Sequence, residues 1–385
     1  MSLVSALVHY YVYRRSVEVG WSARGVPGRR VRRLLAAVTI LLFLSVPIQT
    51  SARMWAPGLS AALGWVSGPW LAFVGVSATL FAIVDLVRGV TWLVGKARPQ
   101  AAMDPSRRAF LTRVGGGAAL AVTGASVGVG MIEARGEHEV VTVEIPLAKL
   151  PKALDGFTIV QLSDLHTGMT IDKEFVERVV ARTNALQPDL VALTGDLVDG
   201  TVANLREDIA PLGRLKAKHG VFAVTGNHEY YAGADAWIAE ISSLGARYLR
   251  NERVTIGDAA ASFELAGVDD YSAHEWPGHG EDLVAATAGR DPARALVLLA
   301  HQPRQVKKAA RHGVDLQLSG HTHGGQIWPW HYIVKLQQGG LLAGKYLHEN
   351  TQLYVTRGCG YWGPPVRLLA PLEITKIVLR STAAA

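Results

Sequence analysis

Up to about residue 135 the apolar positions come in long unbroken runs. Beyond about residue 140 they come in runs of four to six, each closed by a polar cluster. The long runs predict membrane helices. Leu34 to Ala52 is 19 residues without charge, between Arg33 and Arg53. At about 1.5 Å per residue it spans roughly 28 Å, the thickness of a bilayer core. A second uncharged run, Met54 to Val84, regains its apolar character after Asp85 and Arg88, and residues 69–94 read as a second span. Val114 to Ile132, between Arg113 and Glu133, reads as a third. Leu3 to Tyr13 is too short to assign to the membrane on pattern alone.

The short runs predict strands. They are Phe157–His166, Asp189–Asp196, Gly220–Asn227, Ala295–Pro303 and Val314–His323, with helical patterns such as Lys173–Leu186 between the early ones. Strand, helix, strand implies βαβ units and a largely parallel sheet, which collects ligands at strand C-termini. The later runs ASFELAGVD, TQLYVTRGCG and LEITKIVLR follow with little helix and predict a second, more antiparallel sheet packed on the first. The expected organisation is a membrane region over 1–135 and an α/β domain over 136–385.

Charge follows the same division. Residues 1–135 hold 15 Lys and Arg against 4 Asp and Glu; residues 136–385 hold 24 against 28. The pI near 9.5 and the mean hydropathy of +0.18 therefore owe much to the first part. The second part, at a net −4, offers no basic groove, and no nucleic-acid partner is expected. A single cysteine, Cys359, excludes an intramolecular disulfide and a cysteine-based metal site.

Arg24, Arg29, Arg30, Arg32 and Arg33 precede the first span, and Lys96, Arg98, Arg107 and Arg108 precede the third. Basic connectors stay cytoplasmic, so three spans put the second part on the extracytoplasmic side. Ser106–Leu111, SRRAFL, before a soft Gly/Ala-rich run reads as a twin-arginine export signal, which passes folded cargo. No clear cleavage site follows.

The ends of the five strand runs carry the chemistry. They supply Asp164 and His166, then Asp196, then Asn227 and His228, then His301, then His321 and His323 within SGHTHGGQ. Asp164 and His166, like His321 and His323, are two apart, a spacing that in extended chain sends both side chains to one side. Oxygen and imidazole donors together suit Mn²⁺, Fe or Zn²⁺. Asp199, Glu229 and Gln326 are positioned to orient such ligands. The loop Asp269–Asp282 is a candidate lid. Trp328 and Trp330 could meet a membrane, a substrate's apolar part, or only the core. His274, His279, His312, His331 and His348 lie outside the motifs.

The ordered set D-x-H, G-D-x-x-D, G-N-H-E, H-x-P and G-H-T-H resembles the calcineurin-like metallophosphoesterase superfamily over roughly residues 150–380. With the late YVTRGCG…PVR it is most similar to a membrane-associated, twin-arginine-exported bacterial branch. The resemblance implies an αββα sandwich, two packed β-sheets flanked by helices, preceded here by an α-helical transmembrane region. It implies two divalent metal ions: Asp164, His166 and His323 on one, Asn227, His301 and His321 on the other, and Asp196 between them. It gives His228 the role of protonating the leaving oxygen or holding the phosphate. Arg357 is a candidate phosphate contact. The activity implied is metal-dependent hydrolysis of a phosphoester, with a lipid head group among the candidates, on the envelope face of a bacterial inner membrane. Two other readings stay open. One is a pyrophosphate hydrolase acting on a UDP-2,3-diacylglucosamine-type lipid A precursor, which requires a cytoplasmic site. The other is an idle membrane scaffold.

Overall fold

The computed structural model describes residues 3–21, 29–53, 55–97 and 104–382. Arg24 and Arg98 of the basic clusters, and Met54, lie outside the described residues. The chain divides into two compact units, residues 1–132 with 363–368, and residues 133–362 with 369–385.

The first unit is helical, with α1 (Leu3–Trp21), α2 (Arg29–Ala52), α3 (Pro57–Ala97) and α4 (Pro105–Arg135), the last running into the second unit. Among the described residues, three helical stretches are long and apolar enough to cross a membrane: Arg29–Ala52, Pro57–Lys96 and Phe110–Arg135. The apolar runs 34–52, 69–94 and 114–132 fall within them. Leu3–Tyr13 forms the first half of α1, which is tied to α3 through one carboxylate. Tyr11 donates its hydroxyl to Asp85 at 2.8 Å, and Arg15 pairs with the same side chain. A carboxylate on so apolar a helix requires such partners. SRRAFL forms the first turns of α4, where the Asp104 carboxylate accepts the backbone N–H of Ser106 at 2.8 Å.

The second unit runs β1 (Glu139–Leu147), β2 (Thr158–Leu162), α5 (Lys173–Ala185), β3 (Leu190–Leu193), α6 (Val202–Ile209), β4 (Val221–Ala223), α7 (Asn227–Ala232), α8 (Ala234–Ser243) and β5 (Ala246–Tyr248). It continues with β6 (Glu252–Gly257), β7 (Ser262–Gly267), α9 (Leu283–Thr287), β8 (Leu296–Leu299), α10 (Val306–Arg311), β9 (Leu316–Ser319), α11 (His331–Gln337), β10 (Gly344–His348), β11 (Thr351–Val355) and β12 (Glu373–Ser381). The strands form two six-stranded sheets, ordered β1-β12-β2-β3-β4-β5 and β10-β11-β9-β8-β7-β6.

Side-chain alternation builds the layers. Ile159, Leu190 and Phe222 of the first sheet meet Val297, Leu299, Leu316 and Leu318 of the second in one buried cluster. The alternate residues Val160, Leu162, Val191 and Leu193 face Phe175, Val176 and Val179 of α5 and Trp237 of α8. Leu296 and Leu298 pack outward on Leu283 and Ala309, from α9 and α10. Both sheets are thus covered on both faces, which is why their strands read as unbroken apolar runs. The result is an αββα sandwich, as expected.

The division of strands between the sheets differs from the sequence reading. β8 and β9 belong to the second sheet, whose interior pairings, β11 with β9, β9 with β8 and β8 with β7, are parallel. Only its edge pairs, β6 with β7 and β10 with β11, are antiparallel. The run LEITKIVLR, expected in the second sheet, is β12 of the first, parallel to β1 and antiparallel to β2.

Candidate metal centre

Five strand ends meet at one edge of the sandwich: β2, β3 and β4 from the first sheet, β8 and β9 from the second. Asp164 and His166 follow β2, and Asp196 follows β3. Asn227 and His228 begin α7 after β4, and His301 follows β8. His321 and His323 follow β9. Three overlapping groups of ligand-capable atoms result, each within 4.8 Å: Asp164, His166 and His323; Asp196, His301 and His321; and His166, Asp196 and His228.

The backbone aims these side chains by turning sharply. Asp164, His166, Asp196, His321 and His323 all have left-handed φ, between 51° and 72°. The extended spacing expected for Asp164-x-His166 and His321-x-His323 is therefore absent, and convergence comes from tight turns. Each such residue costs on the order of 1–3 kcal/mol, a strain typical of functional sites. Glycines give the turns room. A Cβ on Gly226 would collide with the Asp196 carboxylate and backbone N, and one on Gly320 with Ser163 and Asp164.

The donor set fits divalent cations. His166 Nε2 and His323 Nε2 face each other at 3.0 Å, and His321 Nδ1 faces His301 Nε2 at 3.2 Å. Two facing imidazole lone pairs repel unless a proton or a cation lies between them. Asp164 Oδ2 and Asn227 Oδ1 are buried without a hydrogen-bond partner, an arrangement a protein rarely tolerates away from a ligand. Asp196 bridges the groups: its Oδ2 lies 3.0 Å from His301 Nε2 and 3.8 Å from His166 Nε2.

A supporting set holds this one in place. Asp199 Oδ1 lies 3.0 Å from His166 Nδ1 and 2.6 Å from His228 Nδ1, directing both Nε2 atoms away from itself. His301 Nδ1 is held by the Thr194 carbonyl at 2.8 Å. Buried Glu229 accepts the backbone N–H groups of Asp196, Leu197 and Gly226, locking the β3 turn to the start of α7. Gln326 exchanges two hydrogen bonds with the backbone of Trp362, both 2.9 Å. Of the three residues expected to orient ligands, Asp199 and Glu229 contact ligand-type residues, whereas Gln326 holds the Trp362 backbone.

Burial opposes charge throughout. At His228 the Asp196 and Asp199 carboxylates outweigh it and raise the pKa to about 9. At His321 burial and the neighbouring His301 act together, pushing it down to about 3. Burial would raise Asp199, but His166 and His228 hold it well below the usual carboxylate range. Asp164 is raised by burial, while at Asp196 burial is outweighed by His301 and His228, which hold it well below the usual carboxylate range.

Arg357 lies against the turn that carries His323, with Gly324 close to its aliphatic stem, and its guanidinium pairs with buried Glu373 at 2.8 Å. Cys359 is buried with its thiol on the Ser163 carbonyl. The loop Asp269–Asp282 packs beside α7, with Trp276 5.3 Å from Tyr230 and 5.5 Å from Tyr231 between ring centres. His274, His279 and His312 make local contacts with the Tyr271 carbonyl, Arg250 and Thr287.

Sequence reasoning missed three residues. Asp270, past the end of β7, is buried with one unpartnered oxygen and its other oxygen on Gln302. Its signal was a second acid just past the strand run ASFELAGVD, in a stretch read only as a loop. Tyr231 and Trp362 flank His228 at 5.3 and 5.8 Å. They come from segments 131 residues apart, and no local pattern joins them.

A sequence profile of the calcineurin-like phosphoesterases matches residues 157–325, a stretch that contains all seven ligand-type residues. The chain is 39% identical to a zebrafish (Danio rerio) transmembrane protein with metallophosphoesterase domain, over 68% of this chain and 62% of that one. It is 40% identical to a metallophosphoesterase of Helicobacter pylori over 65% of this chain and 66% of the other. A Bacillus subtilis metallophosphoesterase, YkuE, is 34% identical over 72% of this chain and 98% of its own length. The chain thus spans slightly under two thirds of the first two relatives and nearly all of the third. These strand-end motifs, the two-sheet sandwich and the relatives agree: the chain belongs to the calcineurin-like metallophosphoesterase superfamily.

Proposed function

We propose that this chain is a membrane-anchored, metal-dependent phosphoesterase, with a membrane region over residues 1–135 and a catalytic domain over 136–385. One divalent ion would be held by Asp164, His166 and His323, the other by Asn227, His301 and His321, with Asp196 touching both. The observation that carries this reading is the two pairs of facing imidazoles beside two buried, unpartnered oxygens. Bound divalent cations supply Lewis-acid stabilisation of phosphoryl charge and acidify water, so that a nucleophile exists at neutral pH.

The chain's own groups do the rest. Hydrolysis forms a P–O bond to water oxygen and breaks the one to the leaving oxygen, which needs a proton. Asp199 holds Nδ1 of His228, leaving Nε2 to donate that proton. The Asp196 and Asp199 carboxylates raise its pKa against the effect of burial, which favours the protonated form. Arg357 is read as an auxiliary phosphate contact. The catalytic domain is read as facing the extracytoplasmic side of a bacterial inner membrane, delivered by the twin-arginine machinery, on the strength of Arg107-Arg108 and the basic connectors.

Elemental analysis of the purified full-length chain should find two divalent ions, with Mn²⁺, Fe and Zn²⁺ the candidates. Hydrolysis of bis-p-nitrophenyl phosphate should stop on chelation and return on adding metal back. Asp196→Asn should lose more metal than a change at any other single ligand. A metal-free wild type, or full turnover in chelator, refutes the reading.

A further inference from the structure

Part of the rim beside the metal centre is apolar. Tyr231 and Trp362 stand on either side of His228 and are 63% and 54% exposed. Tyr231 also touches Trp276, yet most of its ring and about half of Trp362 stay open to solvent beside His228. Trp362 is nevertheless fixed, because Gln326 grips both its backbone N–H and its carbonyl.

The same turn seats a second apolar element. Gly325, two residues after His323, lies so close to His331 that a Cβ there would strike the His331 backbone. His331 begins α11, on which Tyr332, Ile333 and Leu336 are 69%, 57% and 82% exposed. An unbroken course of structure therefore runs from His228 across Trp362 and the 323–326 turn onto an exposed apolar helix.

We infer that the site takes an amphiphilic, lipid-type phosphoester, with its phosphate at the metal centre and its aliphatic part lying across Trp362 and Tyr231 and onto α11. This rests on the phosphoesterase reading above. An acyl or alkyl chain is the occupant favoured because Ile333 and Leu336, at the far end of the course, are exposed and aliphatic. The chain's own apolar helices hold it at a bilayer, where such molecules are concentrated. The aromatic rings lie beside His228, so the aliphatic part lies on the leaving-group side.

The test uses the full-length chain in nanodiscs, with bis-p-nitrophenyl phosphate turnover as reporter and n-alkyl phosphates from ethyl to octyl as competitive inhibitors. Free inhibitor concentrations are measured directly. Each fully buried methylene adds roughly fourfold in affinity, and this surface is only partly enclosing. Ki should therefore fall at least about tenfold from ethyl to octyl phosphate. The dependence should flatten in Trp362→Ala and in the double variant Ile333→Ser/Leu336→Ser, whose sites are exposed enough to leave folding intact. A flat Ki series in the wild type, with normal reporter turnover, overturns the lipid assignment and leaves the phosphoesterase reading standing. A steep series that both variants retain overturns the role of these residues. Thymidine monophosphate binding more tightly than octyl phosphate makes the rings a base-stacking site and overturns it too. Absence of reporter turnover in metal-loaded protein overturns the phosphoesterase reading and this inference with it.

Discussion

His228 is held from behind by Asp199 at 2.6 Å, and this pair makes the sharpest tests. His228→Ala should keep both metals and its melting temperature while kcat on bis-p-nitrophenyl phosphate falls by about 10²-fold, within the range for general acid–base catalysis. Metal content, Tm and kcat on one preparation check it, and an ester with a poorer leaving group should lose more. Asp199→Asn removes a charge that raises His228. A proton donor works only below its pKa, so the alkaline limb of the kcat profile should move to lower pH in that variant. Bound cations also oppose protonation of His228, so the wild-type limb should itself fall below the value of about 9 that the carboxylates alone produce. An unmoved limb with metals retained would show that Asp199 only positions the ring. The seven ligand-type residues were legible in sequence because each motif is complete within a few positions. Tyr231, Trp362 and Asp270 were not, since only the folded chain brings them to that edge.

Among elements, the turns that end β2, β3, β4 and β9 carry the precision of the site. Gly226→Ala would drive a methyl group into the Asp196 carboxylate, and Gly320→Ala one into Ser163 and Asp164. Each should cut metal occupancy and turnover at least tenfold, while far-UV circular dichroism stays native because the strands themselves are untouched. Gly233→Ala serves as a contrast: its φ is left-handed, at 101°, unlike that of Gly226 or Gly320, but an added Cβ meets no atom within 4 Å, so it should lose some stability and keep its metal. Equal metal loss in all three would detach the close-approach explanation. The strands were readable because burial on both faces leaves continuous apolar runs, and α5 because Asp172 caps it and its apolar face repeats at helical spacing. Assigning strands to sheets was not readable. β8, β9 and β12 have the same kind of sequence as their neighbours, and partners far along the chain decide where they pair.

On the scale of the whole chain, the prediction concerns which side of the membrane the catalytic domain faces. An alkaline phosphatase reporter fused after Ala385 should be active, and replacing Arg107 and Arg108 by Lys should silence it. Activity from a cytoplasmic reporter in its place would favour the lipid A precursor hydrolase. The proposed export of this domain as folded cargo has a particular bearing on the architecture, because β12 sits between β1 and β2 in the first sheet. Leu162, at the end of β2, and Glu373, at the start of β12, are separated by roughly 210 residues. At ~5–20 residues per second, the ribosome delivers the missing strand about 10–40 s after the edge that awaits it. Through that interval the nascent chain carries an apolar strand with one side unpaired, the kind of edge that recruits other chains. A cell making this protein therefore has reason to shield it during translation, and a translocon that accepts only finished cargo would have to wait for the last strand to arrive.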